Sequence, residues 1–431
     1  MTHDSTVPRL TTAQAAARLG VKPATLYAYV ARGLIASIRA DTGGSTFDAL
    51  EVEAFARSRR RAGERPGRPR ATGGTGRPLM VVDSPLTLLD GDRLYFRGVS
   101  AVDLARRATF EEGLEFLWNS GETPGVVRSG PELASRVASA GELLGPASRP
   151  LDRMMLAVVL AGSCDPLRDE LSPAVVRSAG RRMISAMVDA LPRLQQPLDH
   201  SEADSPLARR LWARLTGESP SEAEIALLDQ TLILCLDHDL AAATMAARIA
   251  ASARAHPYAA VQAALGAFDS SLHGSASIAA ADMIASARNS GHPERALAEQ
   301  LRAGRAIPGF GHLIYREHDP RAEAVFAAMR GIPRYHDVLR TVDRLDAIMA
   351  SRSPRPANID LALAAFALGA GMGRGAGQLI FAIARTGGWI AHIVDEYGQA
   401  PMRLRPESRY TGPAPQGSLP PTTPDLRRLV S

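Results

Sequence analysis

Two histidines and one aspartate stand where the helical pattern of the chain breaks, each beside glycine or a capping residue. In SSLHGSASIAAADMIASA, His273 precedes Gly274, and Ser275 or Ser277 can cap the helix that follows. An imidazole at a helix N-terminus is held neutral and can donate a hydrogen bond to a developing oxyanion. In IPGFGHLIYREHDPRA, Gly309 and Gly311 bend the backbone so that His312 projects from a loop, and Asp319, Pro320 and Arg321 start a helix. In PANIDLALAAF, Asp360 opens an apolar helix. A carboxylate base and hydrogen-bonding imidazoles suit removal of a weakly acidic proton with stabilisation of the anion formed. Taken singly, each residue also reads as a capping aspartate, a turn histidine or one half of a surface ion pair.

The elements that must position these residues are helices. Alanine-rich runs with a period near 3.6 predict them at Leu151 to Gly162, Ala174 to Leu191, Glu222 to Ala255, Ile278 to Asn289, Arg321 to Met329 and Asp360 to Leu368. Only Leu86 to Phe96 reads as extended, two short strands about the turn Asp90, Gly91, Asp92. No internal repeat of solenoid length is present, so the body is expected to be a compact all-α unit.

A different module precedes it. In TTAQAAARLGVKPATLYAYVARGLI, Thr11 or Thr12 can cap a first helix with Ala15, Ala16 and Leu19 inward. Gly20 and Val21 turn the chain, and Pro23 to Arg32 forms a second helix with Leu26 and Val30 inward. A small hairpin (Leu34 to Arg39, Thr46 to Phe47) and a closing helix (Asp48 to Arg57) follow. This head resembles the MerR-type or excisionase-type winged helix-turn-helix. The resemblance implies DNA contact through the second helix, with Thr25, Tyr27 and Tyr29 facing outward and an arginine run gripping phosphates. A small docking or folding module is the other reading.

Charge separates the two parts. Residues 1–78 carry 13 Lys/Arg and 6 Asp/Glu, while the whole chain is only +5, so a basic head sits on a near-neutral body. Arg57 to Arg77 holds eight arginines among Gly and Pro and reads as a linker. Of the 50 basic residues only Lys22 is a lysine, which excludes a Walker A loop and a Schiff-base site in the body. Cys164 and Cys235 form no disulfide framework or zinc-ligand spacing. The most apolar stretch, Leu361 to Gly373, is short of the roughly 20 residues of a membrane span, and the N-terminus lacks a signal-peptide pattern. A cytoplasmic protein is expected.

From about Pro85 to Pro413 the body resembles the citrate synthase family. TLLDGDRLYFRGVSAVDLARRATFEEGLEFLWNSGETP looks like that family's opening, and LILCLDHDLAAATMAARIAAS resembles its H-A-D-H-E-x-N-x-S-T helix junction. SLHGSAS, GFGHLIYREHDPRA and NIDLAL follow as L-H-G-G-A-N, G-F-G-H-x-x-Y-x-x-x-D-P-R-A and N-V-D counterparts. ARTGGWIAHIVDEYGQAPMRLRPESRYTGP closes with R-T-x-G-W-x-A-H and R-P-x-x-x-Y-x-G.

That resemblance implies a Claisen-type condensation of an acyl-CoA with a 2-oxo acid such as oxaloacetate, on large and small helical domains. Asp360 would be the base, His273 would hold the thioester oxygen, and His312 would bind the 2-oxo group and protonate the new alkoxide. Arg321, Arg385 and Arg405 would bind carboxylates through bidentate geometry, with His238 a further ligand. Arg405 would reach the neighbouring subunit's site, implying a homodimer. No bound cofactor or metal is implied; acyl-CoA is a co-substrate. Cys235 replaces the family's first histidine of H-A-D-H, Ala241 its asparagine, Ser275 and Ser277 its Gly and Asn, and Leu313 an arginine. Citrate synthase, 2-methylcitrate synthase and a divergent paralogue all remain open, as does a transcription regulator whose body senses a CoA ester or carboxylate.

The expected partition is a winged helix-turn-helix over 1–58, a linker over 59–78, a synthase-like body over 79–415 with its small domain at about 252–357, and a flexible tail over 416–431. Duplex DNA is expected to bind through residues 1–72. Gly371, Gly373 and Ala376 mimic a dinucleotide fingerprint, but Leu361 to Leu368 lacks β-branched residues and is a poor strand. His312 and His318 lack ligand spacing for a metal.

Overall fold

The structure is a computed structural model, described over residues 9–39, 44–49, 51–53, 55–56, 81–145, 147–195, 205–271, 273–303, 305–352 and 355–412. The linker and tail inferred from sequence lie outside the described residues.

The head forms as its capping signals dictate. Thr11 and Gln14 make a reciprocal capping box at the start of the helix Thr12–Leu19, and Gly20 ends it in the left-handed region at φ 63°. Pro23 opens the helix Pro23–Ala31, whose Leu26 is buried. Strands Ser37–Arg39 and Ser45–Asp48 pair antiparallel, and Arg9–Thr11 adds a third strand on the far side of Ser45–Asp48. That third strand spans three residues, too few to show alternation in the sequence. Residues 49, 51–53 and 55–56 are helical, as the closing helix requires.

Among the described residues the body's only strands are the hairpin Thr87–Asp90 and Arg93–Phe96, extended by Val99–Ser100, and the rest of its regular structure is helical. Helices Pro150–Ser163, Pro173–Asp189, Ala276–Ser290, Pro320–Arg330 and Ile359–Gly369 fall where periodicity placed them. The single run expected over Glu222 to Ala255 is two helices, Glu222–Cys235 and Ala242–Ser252, broken where Asp239 takes φ 56°. The first helix ends at Cys235, and the left-handed Asp239 keeps the chain from continuing as helix before Ala242, a break set by one residue's backbone that periodicity does not register.

The buried helix Ala376–Tyr397 packs against Pro173–Asp189, Glu222–Cys235, Ala242–Ser252, Pro257–Phe268 and Ile359–Gly369. Its Gly388 lets the backbone touch the broken junction: a Cβ there would stand 2.1 Å from the carbonyl oxygen of Leu236. This contact brings Arg385, one turn earlier, against Cys235. Gly371 and Gly373 join two helices rather than a strand and a helix, so the fingerprint's required context is not there. Among the described residues no helix is long and apolar enough to cross a membrane.

Candidate active site

His273 lies in the turn between the helices Pro257–Phe268 and Ala276–Ser290. The turn closes through the Gly274 amide, which donates to the Phe268 carbonyl at 2.9 Å. A Cβ on Gly274 would sit 2.3 Å from that same oxygen, so only glycine fits. The expected serine cap is not formed. Ser275 occupies the N-cap position without a side-chain capping bond, and Ser277 is buried at the second helical position. The His273 ring stands edge-on to Phe268 and Phe381 at 5.3 and 6.0 Å. Burial, with the Arg385 charge adding to it, pushes its pKa down to about 4, so the imidazole is neutral at pH 7. Its Nε2 is buried without a hydrogen-bond partner among the described residues, a state that costs about 1–3 kcal/mol.

His312 and Asp360 are held by one piece of backbone. Phe310 and Ala357 form an isolated antiparallel bridge, the Gly311 amide donates to Pro356 at 2.8 Å, and the Asn358 amide donates to Gly309 at 2.9 Å. Gly309 takes φ 79° and lies so close to Leu361 that a Cβ would meet its side chain at 2.8 Å. Asn358 caps the helix Ile359–Gly369, its Oδ1 accepting from the amides of Asp360 and Leu361. His312 Nδ1 accepts from the Ile314 amide at 3.0 Å, which leaves the ring proton on Nε2. Burial and the Arg321 charge push this imidazole down to about 4. Burial has the opposite effect on Asp360, raising its carboxyl to about 6 against the pull of Arg321.

Asp319 ties these parts together. It is fully buried, grips Arg321 Nε and Nη2 at 2.9 and 2.8 Å, and accepts the Ile359 amide at 3.0 Å. Arg321 therefore spends one edge on Asp319, and its Nη2 also lies 3.5 Å from His312 Nε2. With the proton on Nε2 both atoms are donors, an arrangement that suits a shared acceptor oxygen. Arg321 Nη1 makes no hydrogen bond among the described residues.

Arg385 donates from Nε to the Cys235 carbonyl at 2.8 Å and lies 4.5 Å over the Phe381 ring. Its Nη2 is buried without a hydrogen-bond partner among the described residues, and burial pushes the guanidinium down to about 10. His238, also buried, meets the Tyr315 hydroxyl at 2.9 Å and stands edge-on to His312 at 5.0 Å. Burial, with the charges of Arg321 and Arg385 adding to it, holds it neutral. Cys235 lies in the field of Arg321, Arg385, Asp360 and Asp319, its thiol pushed up to about 12 by burial.

The structure thus gathers His238, His312, Arg321, Asp360 and Arg385 into one buried electrostatic field that also reaches His273 through Arg385. It does not bring Arg405 there: on a single chain Arg405 is exposed, just beyond Arg403, which is paired with Glu396. Sequence reading missed Asn358, Tyr315 and the pairing role of Asp319. Their signals were an Asn two residues before the aspartate, the Tyr of G-F-G-H-x-x-Y, and the Asp of D-P-R. Among the departures from the family pattern, Cys235 is fully buried and Leu313 is 76% exposed.

Two further features adjoin this cluster. A cavity of about 660 Å³ opens behind Asp319, lined by residues of both signs including Arg316, His318, Glu323 and Arg355. Asp92, Glu317 and His318 cluster beside it. There Asp92 accepts the amides of Arg316 and Glu317 at 2.7 and 2.9 Å. Burial would raise the Asp92 carboxyl, but backbone N–H groups outweigh it and hold it low, so this aspartate is an anchor for the His312 loop.

In the head, Tyr27 is exposed and its hydroxyl meets Thr12 Oγ1 at 3.1 Å, while Thr25 is half-buried. Tyr29 corrects the outward expectation: it packs on Phe55 with centroids 5.0 Å apart, because the closing helix covers that face.

Comparison with known proteins agrees with both parts. Residues 76–407 match the citrate synthase C-terminal domain family, and residues 9–60 match a helix-turn-helix domain family. The chain is 28% identical over 373 residues to citrate synthase 2 of Bacillus subtilis, covering 81% of this chain and 98% of that protein. It is 32% identical over 341 residues to 2-methylcitrate synthase of Mycobacterium tuberculosis, covering 74% and 84%. The crystal structure of citrate synthase from Thermotoga maritima superposes with a TM-score of 0.63 at 24% identity, covering 79% of this chain and 96% of that one. A ternary complex of the Thermoplasma acidophilum citrate synthase with carboxymethyl coenzyme A and oxaloacetate superposes equally, at 0.63 and 23% identity, covering 79% and 96%. With buried imidazoles, a raised carboxyl and orphaned guanidinium nitrogens in one cluster, and with the family matched across most of its length, the chain belongs to the citrate synthase family and carries a helix-turn-helix head.

Proposed function

We propose that the protein condenses acetyl-CoA or propionyl-CoA with oxaloacetate, giving citrate or a 2-methylcitrate-type product and CoA. The observation that carries this is Asp360: its carboxyl is raised to about 6, yet no hydrogen bond occupies its oxygens among the described residues. Binding alone does not call for such a base. Above pH 6 it is ionised and able to take the weakly acidic α-proton of the thioester. His273 Nε2 is available to the thioester oxygen as charge develops there, and neutral His312 offers Nε2–H to the 2-oxo group. Arg321 Nη1 and Arg385 Nη2 supply unspent donors for the oxaloacetate carboxylates, with His238 beside them. The enolate carbon attacks the 2-oxo carbon, His312 protonates the alkoxide, and hydrolysis of the new thioester releases CoA.

Shared sites in a homodimer, with Arg405 reaching the partner, complete this reading. The names of the Bacillus and Mycobacterium relatives support both acyl chains. The test is CoA release by the purified protein given oxaloacetate with either acyl-CoA. Absence of release with both defeats the reading.

The helix-turn-helix match over residues 9–60 favours a second reading, a DNA-binding regulator whose body senses a CoA ester or carboxylate. Thr25 and Tyr27 would then read bases and the basic residues of 1–72 would grip phosphates. Tight acyl-CoA binding without turnover, together with DNA binding, would establish it.

A further inference from the structure

The head touches the body at a point next to the catalytic loop. Glu53 of the head, only 5% exposed, accepts from Arg18 within the head at 2.6 Å and from Arg355 of the body at 2.5 Å. Arg355 lies just before the bridge residue Ala357, and its stem rests on Gly311: a Cβ on that glycine would meet Arg355 Cδ at 3.1 Å. Gly311 in turn precedes His312 and takes φ 82°, a conformation few other residues hold without strain. Two contacts and one peptide bond therefore link a head carboxylate to a site histidine.

We infer that Arg355 is a positioning residue for His312 and that the helix-turn-helix head supplies its counter-ion, so that docking of the head orders the catalytic loop. The physical reason lies in the two ends of one side chain. The methylene stem of Arg355 covers the flexible glycine, and among the described residues it is Glu53 that holds the guanidinium in place. Glu53 is itself largely buried, so removing Arg355 leaves a poorly solvated carboxylate and removing Glu53 leaves an unpaired guanidinium. Either loss frees the stem from Gly311. Linkage runs both ways: a ligand that draws the head off the body loosens the loop, and a ligand oxygen held by His312 tightens the head on the body. This goes beyond the proposed synthase reaction and depends on it only in taking His312 as a functional residue.

Hydrogen exchange on the full-length protein tests it without requiring turnover. Deuterium uptake is followed for a peptide spanning Phe310 to Tyr315, with the helix Pro173–Asp189 as internal reference, in Glu53→Gln, Arg355→Gln and the double variant. The expected result is uptake in the loop faster by about fivefold or more in each single variant, with the reference unchanged. The double variant should be no faster than either single one, since both break the same contact, and Arg355→Lys should restore part of the protection. Should Glu53→Gln disturb the head through loss of Arg18, Arg355→Gln still reports from the body side. Loop uptake unchanged in Arg355→Gln, or effects of the two substitutions that multiply in the double variant, would overturn the inference whether or not the protein proves to be a synthase.

Discussion

Asn358 donates from Nδ2 to the carbonyl of Gly311 at 2.9 Å while its Oδ1 accepts the amide of Asp360 at 3.0 Å. One amide side chain thereby sets the distance between the loop bearing His312 and the helix bearing Asp360. A serine at this position keeps a helix cap but is too short to reach Gly311.

Asn358→Ser should therefore keep most of the stability and lose catalytic alignment, with kcat falling at least about tenfold for a misplacement near 1 Å. Asn358→Ala should lose the cap as well, about 1 kcal/mol more in unfolding experiments. Wild-type kcat in the serine variant would show that the amide bridge does not align the site.

Asp360→Asn should abolish turnover and stabilise the fold. The amide keeps the shape without the base, and loss of a general base costs well over the roughly tenfold equal to about 1.4 kcal/mol. Because folding raises this carboxyl to about 6, the ionised form opposes folding above that pH. The opposition fades as pH falls toward the ordinary carboxylate range. The asparagine variant should thus gain on the order of 2 kcal/mol at pH 7.5 and little at pH 4, read from Tm. The low-pH limb of kcat/KM should reflect one proton near pH 6, since His273 and His312 titrate near 4. A limb of slope two would place a histidine in that range instead.

The two buried arginines should respond differently to removal. Arg321 neutralises fully buried Asp319, so Arg321→Leu strands a charge and should cost about 3–5 kcal/mol of stability along with a raised oxaloacetate KM. Among the described residues Arg385 gives one backbone hydrogen bond and its Nη2 has no partner. Arg385→Met should raise KM with little change in Tm. Equal losses of Tm in the two variants would show that Arg385 is structural.

What was readable in the sequence was what lies at a break in local pattern. His273, His312 and Asp360 each sit beside a glycine or Asx residue whose backbone demands are written in the adjacent residues, and so do the capped helices of the head. Contacts made across the chain left no such trace. The Asp319 bond to Ile359 spans 40 residues and Glu53 to Arg355 spans 302. The burial that shifts Asp360 upward comes from helix packing that no local spacing encodes. Tyr29 misled because its helical position is outward until a later helix covers it.

Arg405 provides the test of a shared site. It is exposed on the single chain, and the segment leading to it is fixed from behind, with Arg403 on Glu396 and the Leu404 amide on Ser252 Oγ at 3.5 Å. A segment anchored this firmly holds its next side chain outward rather than letting it fold back on its own cluster. Arg405→Leu should therefore inactivate the partner's site, while Asp360→Asn inactivates its own. In a mixed dimer of the two variants, one of the two sites has both Asp360 and a partner Arg405. Mixing the two inactive proteins under conditions of subunit exchange should recover up to about a quarter of wild-type activity, because half of the dimers are mixed and each has one intact site. No recovery despite exchange demonstrated by mass spectrometry would place Arg405 outside the site.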